Sequence, residues 1–400
     1  MPDMDGEDHF RRLEFRDPGR AQALRRTLSK LCEEIGENVS IMHVCGSHEQ
    51  SIARFGLRSL LPERLNVIMG PGCPVCVTDM PEVDEAIALA RQGITLATFG
   101  DMYRVPGSVK SLAQIKAEGA DVRVVYSPWE ALKLARDVEK EMVFFASGFE
   151  TTAVPTAAVV LSDPPKNFSV LSAHKYIPPV MEIIAEMPQT RVQGFLAAGH
   201  AATITGWKIF ERFVERHRIP VVIGGFEPLD ILAALVELLE LIRDGECRVV
   251  NAYPRCVTPE GNQQAQRMLW EVFQTEGGNW RGIAHVPNGN LRIRPKYAWV
   301  DARERFEIDL SGLWEEAPPG LAQECICGNI MAGIAGPKDC RLFGKDCTPQ
   351  SPVGACMVSS EGTCKIWYEY GGHVIVKESP HERFEKREDF HDRVGGSQKG

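Results

Sequence analysis

One pattern recurs between residues 39 and 275: a short apolar, β-branched run, a turn containing glycine, then an amphipathic stretch of helical length. The runs fall at residues 39–44, 65–69, 95–99, 122–126, 142–146, 168–171, 192–197, 221–223 and 249–251. Strands that alternate with helices form parallel βαβ units, because a parallel neighbour is reached only by a crossover. Nine strands are many for one open sheet, and residues 126–142 read as a helix linking two of them. The pattern predicts an α/β fold with two doubly wound, Rossmann-like parallel-sheet domains, 39–140 and 141–320. Past residue 320 the periodicity stops. Residues 321–376 are expected to form a small irregular cysteine-rich domain. Residues 377–400, half charged with little to bury, are expected to be a disordered tail.

Doubly wound sheets bind ligands outside the carboxyl ends of their strands, so the strand-to-helix turns are where chemistry is expected. Here those turns are polar: CGSH (45–48), GPGCPVC (70–76), FGDM (99–102), SGFETT (147–152), AGH (198–200) and GGFEPLD (224–230). Gly-Phe-Glu occurs twice, at 148–150 and 225–227, hinting at two related units. None of the turns fits GxGxxG or a P-loop, so a dinucleotide or nucleotide site gains no support.

Cys45 stands one step past its apolar run. Ser47 with Gln50 three residues on reads as a capping box opening a helix over 48–57, whose dipole would favour a Cys45 thiolate. His48 is near enough along the chain to share a metal with Cys45, although a lone histidine is more often a polar surface residue. Cys73 and Cys76 form a C-x-x-C unit between Pro71 and Pro74. Where such a pair opens a helix, the nucleophile's pKa falls from about 8.5 towards about 7. The next helix is expected only at Asp79, with Glu82 completing its cap. That leaves the pair on a loop, as a redox dithiol, half a metal site or two structural thiols. Glu150, His200 and Glu227 stand at predicted helix starts, as site groups or polar rim residues.

Charge and cysteine usage narrow the functions. A formal charge of -9 with no basic block argues against nucleic acid or an anionic membrane as partner. The opening MPDMDGEDHFRRLEF has no apolar core of a signal peptide, and the greasiest segment, 231–242, is interrupted by glutamates. The twelve cysteines are therefore expected to serve as thiols, metal ligands or catalytic pairs in a cytoplasmic protein. Six of them lie within 325–364. Cys325, Cys340, Cys347 and Cys364 are separated by 14, 6 and 16 residues, with Cys327 and Cys356 as extras. Zinc ribbons use two close pairs, whereas widely spaced thiolates in a Gly/Pro-rich loop suit a cubane iron-sulfur cluster. Zinc and a purely structural role stay open.

Together these motifs resemble the HypD family, maturation factors that help assemble the Fe(CN)2CO unit of NiFe hydrogenases. The resemblance runs from residue 39 to about 376 and rests on CGSH, GPGCPVC, SGFETT, GGFEPLD and the C-x14-C-x6-C-x16-C array. It implies a 4Fe-4S cluster on Cys325, Cys340, Cys347 and Cys364, a redox-active Cys73/Cys76 pair, and Cys45 as ligand of the iron that receives CO and cyanide. His48, Glu150 and Glu227 are implied as further site residues. The implied architecture is two similar α/β domains with a cleft between them and a third domain carrying the cluster. The implied partners are a small HypC-type chaperone, the cyanide donor HypE and, through the chaperone, a hydrogenase large-subunit precursor. The family's first motif resembles C-G-x-H-x-H, and Gln50 stands here in place of its second histidine. The competing reading is a free-standing iron-sulfur oxidoreductase that reduces a protein disulfide through Cys73 and Cys76.

Overall fold

Each of the nine apolar runs is a strand in the computed structural model, which describes residues 15–315 and 324–371. They are β1 (Val39–His43), β2 (Leu65–Met69), β3 (Thr95–Phe99), β4 (Val122–Val125), β5 (Met142–Gly148), β6 (Phe168–His174), β7 (Gly194–Ala198), β8 (Val221–Gly224) and β9 (Val249–Asn251). They form two sheets, ordered β2-β1-β7-β8-β9 and β4-β3-β5-β6. The pairings β1–β7, β7–β8 and β8–β9 in the first sheet are parallel, as are β3–β4, β3–β5 and β5–β6 in the second. Every residue of β5 and β6 is buried, as a parallel sheet covered on both faces requires. Among the described residues no helix is long and apolar enough to cross a membrane.

Strand pairing divides the chain differently from the expected split near residue 140. One unit takes the residues up to Ile68 and then Arg191–Gly261; the other takes Met69–Thr190 and the residues from Asn262 onward. Met142 of β5 pairs with Thr95 of β3, so both sides of residue 140 share a sheet. The cause is topological: the chain leaves the first sheet after β2, builds the second, and returns at β7. The described part of the cysteine-rich segment belongs to the second unit instead of forming a third. The expected disordered tail lies outside the described residues.

In the first unit a helix that the sequence pattern did not reveal, Pro18–Ile35, packs against Pro228–Asp244. Asp17 caps it by accepting the Arg20 N–H at 2.6 Å, Pro18 sits in its first turn, and Gly36 ends it at a φ of 79°. Such a cap contributes about 1 kcal/mol. Its buried face, Leu28 and Leu31, joins Ile41 of β1 and Leu235 and Leu238 of the facing helix in one core.

The second unit adds an antiparallel hairpin, β10 (Phe273–Trp280) with β11 (Ala284–Ile293), which the sequence pattern also missed. It docks beside β6: Ser172 Oγ donates to the Leu291 carbonyl at 2.7 Å, and the Tyr176 N–H to the Gly289 carbonyl at 2.8 Å. Between them lies Lys175, fully buried, whose Nζ donates to Glu82 Oε1 and Oε2 at 3.0 and 2.8 Å and to Asn290 Oδ1 at 2.9 Å. Burial opposes the Glu82 charge, but Lys175 and Arg303 outweigh it and hold the carboxyl below its usual range. Glu82 also accepts the Asp79 N–H at 2.9 Å, so one carboxylate ties the hairpin to the start of the helix Met80–Arg91.

A buried pair of this kind is costly to break, because the abandoned charge has no water to replace its partner. Lys175→Met should lower the unfolding free energy by about 3–5 kcal/mol, read from the midpoint of a urea transition at unchanged slope. Adding Glu82→Gln, which keeps the cap acceptor and removes the stranded charge, should recover part of the loss. A Lys175→Met cost below about 1 kcal/mol would show that the pair is not held dry.

Candidate functional site

In the first sheet β1 has β2 on one side and β7 on the other, so the chain reverses direction of travel across the sheet at this pair. Such a switch point opens a crevice at the carboxyl ends of the two strands. The Val44 N–H donates to the Leu196 carbonyl at 3.2 Å, which carries the parallel ladder one residue past β1. Cys45 follows, buried, with its Sγ 3.9 Å from Nδ1 of His200 on the helix Gly199–Thr205 that leaves β7. The helix after Cys45 is Gly46–Arg54, with Cys45 itself as the extended N-cap residue and its carbonyl accepting the Glu49 N–H at 3.4 Å. Ser47 and Gln50 are thus already inside the helix, and the expected capping box is not how it begins. Gly46 takes up helical backbone as soon as the strand ends.

His48 is completely buried. Its Nε2 faces the Gly225 carbonyl at 2.9 Å, which can only accept, so Nε2 carries the hydrogen and Nδ1 the lone pair. Among the described residues Nδ1 has no hydrogen-bond partner. Burial first, then the neighbouring His43 and His200, lower the pKa of this imidazole to about 3, so it is neutral near pH 7. A neutral imidazole with a vacant nitrogen is suited to binding a metal. Its ring stacks on Phe226 at 4.9 Å, and Phe226 also lies 5.0 Å from the His200 ring. Beneath the helix start, His43 Nδ1 meets the Cys45 carbonyl at 3.1 Å and its Nε2 meets Glu49 Oε2 at 2.9 Å. Arg58 donates to both Glu49 oxygens at 2.5 and 2.6 Å. Burial alone would raise the Glu49 pKa; Arg58 and His43 more than reverse it, fixing an ionised carboxylate under the Cys45 turn. The sequence pattern couples Cys45 with His48, leaves His200 apart as a helix-start or rim group, and gives no sign of the His43–Glu49–Arg58 support.

In the second unit Cys73 and Cys76 are disulfide-bonded across a single helical turn, Pro74–Val77. Cys73 is its N-cap, and its Sγ accepts the Cys76 N–H at 3.1 Å. The pair therefore opens a helical turn of its own, where the sequence predicted a loop. The following helix does begin at the expected Asp79–Glu82 capping box. The turn packs against the short helix Ala355–Met357, which carries Cys356, and against β5, where Thr78 Oγ1 and Ser147 Oγ are 2.9 Å apart.

The described cysteine-rich residues close into a thiol cluster. Cys325 and Cys327 sulfurs are 3.3 Å apart, and Cys327, Cys356 and Cys364 share thiol hydrogen bonds. Cys347 accepts the Val353 N–H at 3.4 Å, and the charges of Cys325 and Cys340 act on it. Cys327 and Cys356, outside the spaced set, thus touch Cys364, one of the four spaced cysteines, and Cys327 also touches Cys325. Gly354 makes room: a Cβ there would lie 2.5 Å from Cys327 Sγ and 2.6 Å from Cys325 Sγ. Among the described residues no three His, Cys, Asp or Glu side chains close to the spacing of a single metal ion.

The two Gly-Phe-Glu triplets occupy matching places, at the carboxyl ends of β5 and β8, one in each unit. Glu150 begins the helix Glu150–Leu161, and its Oε1 accepts the Ile177 N–H at 3.0 Å. Glu227 is the N-cap of Pro228–Asp244 and receives Arg16 through both oxygens, at 2.6 and 3.0 Å.

Because a two-residue spacer allows closure, Cys73 and Cys76 should interconvert between dithiol and disulfide in the full-length protein. Alkylation after mild oxidation should recover them as one linked peptide, and after prior reduction as two labelled thiols. Two freely alkylated thiols after oxidation would remove the pair from any redox role.

The HypD family model, described as the hydrogenase formation hypA family, matches residues 20–371. The chain is 47% identical over 347 residues to a putative hydrogenase expression/formation protein of Methanocaldococcus jannaschii, covering 86% of this chain and 95% of that protein. It is 42% identical over 371 residues to the hydrogenase maturation factor HypD of Azotobacter vinelandii, covering 90% and 96%. It is 41% identical over 371 residues to that of Cupriavidus necator, again covering 90% and 96%.

Proposed function

The chain belongs to the HypD family of hydrogenase maturation factors, and from that premise we propose that it is an iron-sulfur assembly scaffold on which iron receives its CO and cyanide ligands. The observation that carries this reading is the Cys45 turn: a thiol at the switch point, His200 3.9 Å away, and a buried, neutral His48 with a vacant nitrogen. A thiolate at the start of a helix is a soft ligand suited to iron bearing CO and cyanide, which is the cargo here. His43, Glu49 and Arg58 hold that turn in place. Glu150 and Glu227 act as helix-start anchors that shape the two turns.

The thiol-only donor set of the cysteine-rich segment fits a 4Fe-4S cluster, with Cys325, Cys340, Cys347 and Cys364 as its ligands and Gly354 leaving space beside the sulfurs. Such a cluster supplies one-electron transfer. The contact between the Cys73/Cys76 turn and the Cys356 turn supports passage of electrons between that segment and the disulfide. The partners are a small HypC-type chaperone supplying a second iron ligand, HypE delivering cyanide, and through the chaperone a hydrogenase large-subunit precursor. Its many free thiols suit a reducing, cytoplasmic setting.

The test is infrared and visible spectroscopy of the protein purified with its small partner. The parent should show nitrile and carbonyl stretches and thiolate-to-iron absorption at roughly 400 nm. Cys45→Ala should lose the infrared bands and keep the absorption; Cys347→Ala should lose the absorption and iron. Infrared bands that survive in Cys45→Ala would refute the iron-ligand role and favour a free-standing disulfide reductase.

A further inference from the structure

The hairpin β10–β11 ends in a turn that reaches both cysteine sites of the second unit. Gly282, at a φ of 70°, lies directly on Gly328, next in sequence to Cys327, and a Cβ on Gly282 would meet the Gly328 Cα at 3.1 Å. Only two glycines allow backbones to approach this closely. The preceding residue, Arg281, donates its backbone N–H to the Val77 carbonyl at 3.1 Å, at the end of the Cys73–Cys76 turn. Its Nη2 donates to the Pro106 carbonyl at 2.8 Å. Its Nη1 is shut off from solvent and has no hydrogen-bond partner among the described residues. The charges acting on this guanidinium include those of Cys327, Cys325 and Cys356 and of Asp79.

A buried guanidinium with an unused donor is expensive unless a negative group faces it. Asp79, Cys325, Cys327 and Cys356 are the groups whose negative charge, when they are ionised, acts on it, and Cys327 adjoins the Gly328 contact. Arginine suits the place better than lysine, because its fork serves Pro106 with one arm while the other remains free.

We propose that Arg281 is a positioning residue that holds a fixed positive charge against the Cys325–Cys327 side of the cysteine cluster while its backbone pins the Cys73–Cys76 turn. This rests on the iron-sulfur reading given above. One electron entering the centre adds negative charge without breaking a bond, and a cation held beside it in a low-dielectric pocket favours that reduced state. Arg281 therefore raises the reduction potential of the centre.

The experiment is a redox titration of the full-length, iron-loaded protein with a chemical reductant, followed by visible and paramagnetic resonance spectra. Arg281→Gln keeps a donor for Pro106 and loses the charge; it should disfavour reduction at least tenfold, which is about 59 mV for one electron. Arg281→Lys keeps the charge and loses the fork; it should stay within about threefold of the parent, about 28 mV on the same scale. An unchanged potential in Arg281→Gln, or equal shifts in both variants, would overturn the charge role and leave Arg281 as packing alone. If Arg281→Gln does not fold, a tenfold or larger fall in Arg281→Lys overturns the inference and a retained potential supports it. A parent lacking iron and its absorption fails the iron-sulfur reading itself, so the two failures are told apart before any variant is compared.

Discussion

Parallel strands can be joined only by crossovers that return the chain to the same starting edge, so each sheet delivers all its carboxyl ends to one side. The rest of this protein depends on that constraint. It brings the turns after β1 and β7 together although they are far apart in sequence, and so places Cys45 beside His200. In the second unit the carboxyl end of β5, at Ser147, meets Thr78, two residues past the disulfide. The chemistry is carried by turns, and the sheets decide which turns meet.

That division of labour explains what could be read from the sequence. All nine strands were visible, because runs rich in apolar and β-branched residues mark strands that are largely covered. The order of the strands was not visible. Nothing local in residues 65–69 announces that β2 is the last strand before an excursion, whereas the number of strands and the helical stretch at 126–142 point to a boundary near residue 140. The hairpin was missed for a different reason: FQTEGGNW alternates poorly, since its neighbours are a partly exposed partner strand and polar groups such as Asn290. The helix Pro18–Ile35 carries a clear aspartate-proline start but lies before the repeating pattern begins.

The site was legible in its residue types and less so in their roles. Cys45 and His48 were picked out by position relative to a strand end and a helix start, which are local properties. The inferred capping box failed because Ser47 and Gln50 satisfy the motif equally well inside a helix that begins at Gly46. His43, Glu49 and Arg58 act through burial and mutual pairing, and neither can be inferred from a single sequence. Spacing separated four cysteines from Cys327 and Cys356; the fold brings those two into thiol contact with two of the four, because turns containing Gly354 and Gly362 fold the chain back on itself.

The interrupted first unit has a consequence in time. A ribosome releases β1 and β2 early, then the whole of the second sheet, and only afterwards β7, β8 and β9. Cys45 and His200, 155 residues apart, are therefore strangers for much of synthesis. A nascent chain carries its exposed thiol without the imidazole or the crevice that surrounds it in the finished protein. The thiol, the imidazole and the crevice therefore come together only in completed molecules, a safeguard written into the order of the strands.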